Sequence, residues 1–218
     1  MADKEKNTRS IISIIRRSGI DTFGIADLRG IASAELPLRI DFHDIYKNYQ
    51  YAIVAGIPFA KHEASVPSTT LILDLEKTAY EISDFCEENR RNYLIIHPED
   101  EFDPVTRRGL FSLKVLAKHA GIGWQGRSLL VVSPESGPIH RMIAVLTNME
   151  LIPNRMVESR CGDCVECIKK CPGGALKFKD TIDETSEREE ILDIEKCLGD
   201  EGCTVCLKVC HRTRSAKR

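Results

Sequence analysis

The chain has 218 residues, with 31 lysines and arginines against 33 aspartates and glutamates, so its formal net charge is −2 at neutral pH. This near balance gives no sign of a general nucleic-acid or membrane-surface binder. The charged first residues lack the apolar segment of an export signal, and no apolar run has the length of a membrane span. We therefore expect a cytoplasmic protein with no membrane partner.

Apolar periodicity before residue 155 predicts a mixed α/β domain. Helices are predicted at 8–17, 69–90 and 107–120, and strands at 20–26, 51–59, 93–97, 129–132 and 142–146. From residue 160 onward, cysteine, glycine and charged residues replace this periodicity. We therefore expect an α/β cofactor or substrate domain over 1–155 and a second, smaller domain over 156–218. The basic end, 211–218, is interpreted as a solvated tail.

Cysteine usage is the most specific feature of the sequence. The chain has nine cysteines, and eight of them lie between residues 161 and 210. In a chain expected in a reducing compartment, such clustering indicates metal binding rather than disulfides. The ninth, Cys86, ends a predicted helix and is interpreted as a small buried hydrophobe.

The first cysteine group has the spacing C-x2-C-x2-C-x3-C-P, which is typical of bacterial two-cluster ferredoxins. It consists of Cys161, Cys164, Cys167 and Cys171, followed by Pro172. In such a run the first three thiolates bind one cube of iron and sulfide, and the fourth binds the other cluster.

The second group, Cys197, Cys203, Cys206 and Cys210, has a longer first gap, and His211 replaces the usual proline. Crossed ligation then predicts two [4Fe–4S] clusters, held by Cys161, Cys164, Cys167 and Cys210, and by Cys171, Cys197, Cys203 and Cys206. Two structural zinc sites are the alternative, since four-cysteine zinc sites also use C-x2-C pairs. A second alternative is that the clusters are purely structural.

A glycine-rich segment, His119–Ser128, follows a predicted helix and precedes a predicted strand. Gly121, Gly123 and Gly126 would let the backbone approach another group closely. The order differs from the dinucleotide fingerprint, whose glycines follow a strand and open a helix. The alternative is a helix cap and a tight turn around one core tryptophan, Trp124.

Residues 116–130 read LAKHAGIGWQGRSLL. They are similar to the segment A-G-L-G-W-I-G-K-x-x-L-L of epoxyqueuosine reductases, and the sequence resembles that family and its relatives. The similarity continues in order through 133–137, 145–151 and the first cysteine group, and near the N-terminus at 23–26 and 52–58. The resemblance implies a cobalamin-binding α/β domain, related to nitroreductase-like flavin folds, followed by a ferredoxin-like module that passes electrons to cobalt. Reductive dehalogenases share this plan.

Two departures from that family bear on the substrate. In the tRNA-modifying enzymes the catalytic Asp stands 17 positions before the motif tryptophan. In this chain the residue 17 positions before Trp124 is Arg107. The family's glutamate position falls on Leu113, and Asp103-Pro104 is out of register. The C-terminal extension that helps such enzymes hold tRNA is also not found after the clusters. We therefore expect a small-molecule or protein-bound substrate, and tRNA is not expected as a partner.

These observations predict an iron–sulfur oxidoreductase that delivers low-potential electrons to a cofactor, with cobalamin the first candidate and flavin the second. The cofactor would be bound by Gly121, Gly123, Trp124, Gly126, Arg127 and Arg141, with no cobalt ligand from His119. An electron donor such as a ferredoxin or flavodoxin is implied. The alternative is a non-enzymatic electron carrier, or a reductive activator of a partner corrinoid protein, that binds no organic cofactor.

Overall fold

The computed structural model describes residues 2–31, 45, 47–59, 68–98, 111–180 and 188–215. The helices are α1 (Ala2–Arg17), α2 (Ser68–Glu88), α3 (Leu113–His119), α4 (Glu166–Lys169), α5 (Arg188–Ile191), α6 (Gly199–Gly202), α7 (Val205–Val209) and α8 (His211–Ser215). The strands are β1 (Thr22–Asp27), β2 (Tyr51–Pro58), β3 (Tyr93–Ile96), β4 (Trp124–Gln125), β5 (Val131–Ser133) and β6 (Gly137–Thr147).

The strands form one six-stranded antiparallel sheet in the order β1-β2-β6-β5-β4, and β3 also pairs with β6. The long strand β6 organises this arrangement, since β2 pairs along most of its length while β3 and β5 pair with opposite ends. Every residue of β2 is buried, because helices cover both faces of the sheet. The sheet thus places the short β4–β5 hairpin at its end.

Two apolar layers hold the helices to the sheet. Helices α1 and α2 pack on one face, where Ile11, Ile15, Leu75 and Ile82 are almost completely buried. Helix α3 covers the opposite face with Leu116 and neighbouring apolar residues. Each fully buried isoleucine or leucine contributes about 1.5–3 kcal/mol, whereas an exposed ion pair contributes about 0–1 kcal/mol. The apolar contacts therefore dominate the attachment of these helices.

The sequence-based prediction of mixed α and β structure is confirmed, and the predicted elements recur with shifted ends. Helix α1 begins at Ala2, earlier than predicted, and ends before Gly19, whose φ of +78° suits glycine. The predicted turn at 134–138 joins β5 to β6. Cys86 is completely buried, as predicted. Within the described part of the chain, no helix combines the length and apolar character that crossing a bilayer requires.

Candidate functional site

The eight clustered cysteines lie on short helices and the loops that join them. The first group surrounds α4, with Cys161 and Cys164 before it, Cys167 within it and Cys171 after it. The second group flanks or occupies α6 and α7, and it consists of Cys197, Cys203, Cys206 and Cys210. All eight thiols are unpaired and partly buried. The N-cap residues of α4 and α7 make no side-chain capping bond, and helices this short are not stable alone. Their stability therefore depends on tertiary contacts.

The thiols of the first three cysteines share their surroundings with a thiol from far along the chain. Burial, aided by the nearby Cys161, Cys206, Cys164 and Cys210, raises the pKa of the Cys167 thiol to about 12. Burial also raises the pKa of Cys210, and Cys161 and Cys164 act in the same direction. Cys210 is thus close enough to the first group to interact with it electrostatically.

Three of the remaining cysteines, Cys197, Cys203 and Cys206, form a second, adjoining neighbourhood. Burial, with Cys203 and Cys197 acting in the same direction, raises the pKa of the Cys206 thiol to about 11. Cys171, which follows α4, accepts a hydrogen bond from the backbone N–H of Ala175 at 3.3 Å. The two neighbourhoods adjoin, since α4 packs against α7 and Cys206 acts electrostatically on Cys167.

The chemistry of these thiols suits a bound cationic group. Burial and neighbouring thiols disfavour the ionised form of these cysteines. Metals bind that form, the thiolate, so the positive charge of a bound metal would favour it. Among the described residues, no three His, Cys, Asp or Glu side chains converge on a point where one metal ion could sit. Ligands of an iron–sulfur cube bind separate irons, so they surround a volume instead. The two adjoining sets of thiols fit such a group.

Trp124 connects the glycine-rich turn directly to the first cysteine group. Its side chain is almost fully buried in β4, and the indole Nε1 donates a hydrogen bond to Sγ of Cys161 at 3.3 Å. Gly126 lies beside the same sulfur, since a Cβ added there would stand 3.7 Å from it. The turn is therefore packed against a proposed cluster ligand.

Arg127 ties the same turn to two further segments of the cysteine-rich region. Its guanidinium donates to the carbonyl oxygens of Lys179 at 2.5 Å and Gly162 at 3.2 Å, and to that of Asp180 at 3.5 Å. It also lies 4.9 Å from the ring centroid of Phe178. The planar guanidinium presents its donors in a rigid fork and so bonds carbonyls on two separate segments, whereas a lysine ammonium is a compact point charge on a flexible stem.

The C-terminal helix α8 covers the other side of the tryptophan. The guanidinium carbon of Arg212 lies 5.8 Å from the Trp124 ring centroid. Thr213 is buried, and its hydroxyl donates to the carbonyl of Leu207 at 2.7 Å. The interpretation of 211–218 as a solvated tail is therefore wrong for these residues, because α8 packs against β6 near Gly137. Residues 216–218 lie outside the described part.

Two of the predicted cofactor-binding glycines face protein backbone at close range. A Cβ on Gly121 would stand 2.3 Å from the carbonyl oxygen of Arg155, and Gly121 has a φ of +69°. A Cβ on Gly123 would stand 2.1 Å from the carbonyl oxygen of Val132. These positions require glycine because the β4–β5 hairpin and the segment after β6 approach so closely.

The other predicted residues are spread along the fold. Arg141 lies on β6 opposite Ile57 and is partly exposed, and His119 ends α3. Leu113, at the family's glutamate position, begins α3. Arg107 and Asp103-Pro104 lie outside the described residues.

Sequence reasoning missed two contacts that build this site. Arg212 was assigned to the tail, although it stacks on Trp124. Asn154 exchanges two hydrogen bonds of 2.8 Å with the backbone of Ile25. These bonds attach the segment after β6 to β1. Neither contact has a local sequence signal, since each joins residues far apart in the chain.

No protein-family model matches the chain. Curated relatives include epoxyqueuosine reductase from Bacillus cereus, 28% identical over 127 residues, which cover 54% of this chain and 33% of the relative. The Escherichia coli epoxyqueuosine reductase is 31% identical over 110 residues, covering 45% of this chain and 29% of the relative. The matched segment thus spans about a third of the length of these relatives.

Solved structures extend the similarity of fold to most of the chain. An epoxyqueuosine reductase solved with an epoxyqueuosine-modified tRNA stem loop matches with a TM-score of 0.68 and 18% identity, over 95% of this chain and 65% of that one. A reductive dehalogenase whose structure suggests a mechanism for B12-dependent dehalogenation matches with a TM-score of 0.67 and 18% identity, over 95% and 33%. The expectation that tRNA is not a partner finds no support here. The predicted resemblance is confirmed: the chain is similar to epoxyqueuosine reductases in sequence and shares its fold with them and with a reductive dehalogenase.

Proposed function

We propose that the protein is an iron–sulfur oxidoreductase that carries two [4Fe–4S] clusters in the region 156–218 and delivers low-potential electrons to a cofactor held by residues 1–155. The observation that carries this proposal is the packing of α7, which ends just before Cys210, against α4 of the first cysteine group, so that Cys210 acts electrostatically on Cys161 and Cys164, about fifty residues earlier in the chain. Crossed ligation of two cubes requires this proximity, whereas consecutive four-cysteine sites do not.

One cluster would be bound by Cys161, Cys164, Cys167 and Cys210, and the other by Cys171, Cys197, Cys203 and Cys206. When bound, such clusters supply one-electron transfer at low potential. The described residues around them have separate tasks: Trp124 bonds the sulfur of Cys161, Arg127 holds the loop carbonyls, and α8 packs over the tryptophan. These contacts would hold the first cluster against the end of the sheet.

Iron and acid-labile sulfide content tests the clusters. Protein purified without oxygen should contain about eight irons and eight sulfides per chain, since each [4Fe–4S] cube holds four of each. Bound zinc without sulfide would contradict the proposal and favour structural zinc sites.

The crossed ligation has its own test. Cys210→Ala and Cys164→Ala should damage the same cluster, and Cys203→Ala should damage the other. Electron paramagnetic resonance of the three reduced variants gives the comparison. Matching spectra for Cys210→Ala and Cys203→Ala would refute the assignment.

The relatives favour a corrinoid as the electron acceptor, because one structural neighbour is described as B12-dependent. Gly121, Gly123 and Gly126 face neighbouring protein atoms, so this turn would support such a cofactor site from behind. We propose base-off binding of cobalamin with no ligand from His119. Anaerobic titration with cob(II)alamin should show the base-off spectrum, retained in His119→Ala. Tight binding of flavin instead would indicate a flavin-linked reductase.

The close packing of the glycine-rich turn also favours a second candidate, a plain electron carrier or a reductive activator of a partner corrinoid protein. In that case the wild-type chain with full iron content should bind neither cobalamin nor flavin. It should still transfer electrons from a reduced ferredoxin or flavodoxin to an external acceptor.

A further inference from the structure

Trp124 lies between a proposed cluster ligand and a fixed positive charge. Its Nε1 donates to Sγ of Cys161 at 3.3 Å, and the guanidinium carbon of Arg212 lies 5.8 Å from its ring centroid. The indole is 2% exposed, so its N–H is largely shielded from water. It is also the single tryptophan of the chain.

The direction of the indole N–H is set by the sheet. Trp124 pairs with Val132 across the β4–β5 hairpin, and β5 pairs in turn with β6. Gly123 and Gly126 permit the close approach, because a side chain at the first would collide with the Val132 carbonyl and one at the second would press on the side chain of Val132. The donor is therefore held in place before any group binds to the sulfur.

We infer that Trp124 raises the reduction potential of the cluster bound through Cys161, and that it is a positioning residue built for that purpose. Hydrogen bonds to cluster sulfurs tune potential, because the positive end of the donor stabilises the extra negative charge of the reduced state. Reduction adds one electron from a low-potential one-electron donor, breaks no bond to the protein and leaves the proton on the indole. The inference rests on the proposed function, since it requires a cluster at Cys161.

Removing the donor while keeping the aromatic ring tests the inference. Trp124→Phe keeps an apolar ring, and replacement of Trp124 by its benzothiophene analogue keeps the full bicyclic shape with sulfur in place of N–H. Tyr80→Leu is the control, because Tyr80 is an exposed aromatic side chain without an N–H and lies on α2, outside the cysteine-rich region. Iron and sulfide are measured first, and each midpoint potential then comes from a dithionite titration followed by electron paramagnetic resonance.

We expect one of the two midpoints to become more negative in both tryptophan variants and neither to move in Tyr80→Leu. At a fixed potential near the midpoint, the ratio of oxidised to reduced cluster should rise about tenfold, which equals about 59 mV for one electron. Full iron and sulfide content with unchanged midpoints in the benzothiophene variant would overturn the inference. Wild-type protein without iron and sulfide would instead refute the proposed function.

Fluorescence gives a second, independent readout. Because the chain has one tryptophan, its emission reports on this position alone. Emission should be strongly quenched in the cluster-loaded wild type and should recover when a chelator removes the iron. Unquenched emission at full iron and sulfide content would contradict contact between Trp124 and the cluster ligand.

Discussion

The guanidinium of Arg127 lies where two segments of the cysteine-rich region meet the glycine-rich turn. It donates to the carbonyl of Gly162, between the first two cysteines of the first group, and to that of Lys179, which follows the group. Leu129 in the same turn has a φ of +58°, an uncommon conformation for a branched side chain. The tight turn directs the side chain of Arg127 toward several carbonyl oxygens.

Replacement of Arg127 by lysine tests this role. Arg127→Lys keeps the charge but loses the fork of donors, so the loops at 162 and 178–180 should loosen. We expect chelators to bleach the cluster absorbance several times faster than in the wild type. Arg91→Lys, at an exposed position, should leave the rate unchanged. Equal rates for all three proteins would show that the fork does not protect the clusters.

Cys86 differs from the eight clustered cysteines in its burial. It is fully buried in α2, its Sγ lies 3.6 Å from Oγ1 of Thr147, and burial raises the pKa of its thiol. A thiol with a raised pKa stabilises the fold below its unfolded pKa, about 8.5, and this contribution is lost as pH rises further. Cys86 should therefore be inert at neutral pH.

Cys86→Ala should lower the free energy of unfolding by roughly 1 kcal/mol at pH 7, through the small cavity it leaves. The difference from the wild type should shrink between pH 8 and pH 10, since only the wild type loses stability through this thiol. Urea unfolding of both proteins across that range measures it. A difference that stays constant to pH 10 would contradict the raised pKa.

At the scale of elements, β1 and α3 meet through a glycine. A Cβ on Gly24 would stand 1.9 Å from the carbonyl oxygen of Ala120, at the end of α3. This contact brings the glycine-rich turn beside the sheet, so it helps to position Trp124. Gly30, in the short 3-10 turn after β1, has no atom near its missing Cβ.

Gly24→Ala should lower the free energy of unfolding by about 1–3 kcal/mol, because β1 and the end of α3 must separate. Gly30→Ala should change it by less than about 1 kcal/mol in either direction. Thermal or urea unfolding of the two variants provides a matched comparison. Equal losses in both would mean that backbone entropy, and not close packing, governs these positions.

The sequence predicted the helices and strands better than the tertiary contacts between them, and the reasons are physical. Periodic apolar residues such as Ile11 and Ile15 report burial on one helix face, and this signal is local. The spacing of the cysteines is local in the same sense, because a chain must wrap around what it binds, and the ligand assignment stays a prediction. The hydrogen bond from Trp124 to Cys161 joins residues on different elements, so no periodicity could reveal it.

At the scale of the whole molecule, apolar burial is distributed unequally. The sheet and its covering helices contain nearly all buried apolar residues, whereas Ala175, Leu176, Ile191 and Leu207 are the buried apolar residues within the described part of 161–215. So small an apolar core cannot keep a segment of this length folded without a bound metal or another cross-link.

Removal of iron with a chelator should therefore unfold 161–215 while the sheet stays folded. Hydrogen exchange should show lost protection in α4 and α7 and retained protection in β2 and β6, within the same sample. Restoring iron and sulfide should return the protection. Unchanged exchange in α4 and α7 after complete iron removal would mean that protein contacts alone hold the region.

The proximity of Cys210 to Cys161 also has a consequence for the order of events during synthesis. Cys161, Cys164 and Cys167 leave the ribosome before Cys210 is made, and roughly forty residues at 5–20 residues per second take about 2–8 s. Under the proposed crossed ligation, the first cluster would lack one thiolate throughout that interval. The nascent chain would then need shielding from oxygen, or loading by an assembly factor, until Cys210 emerges.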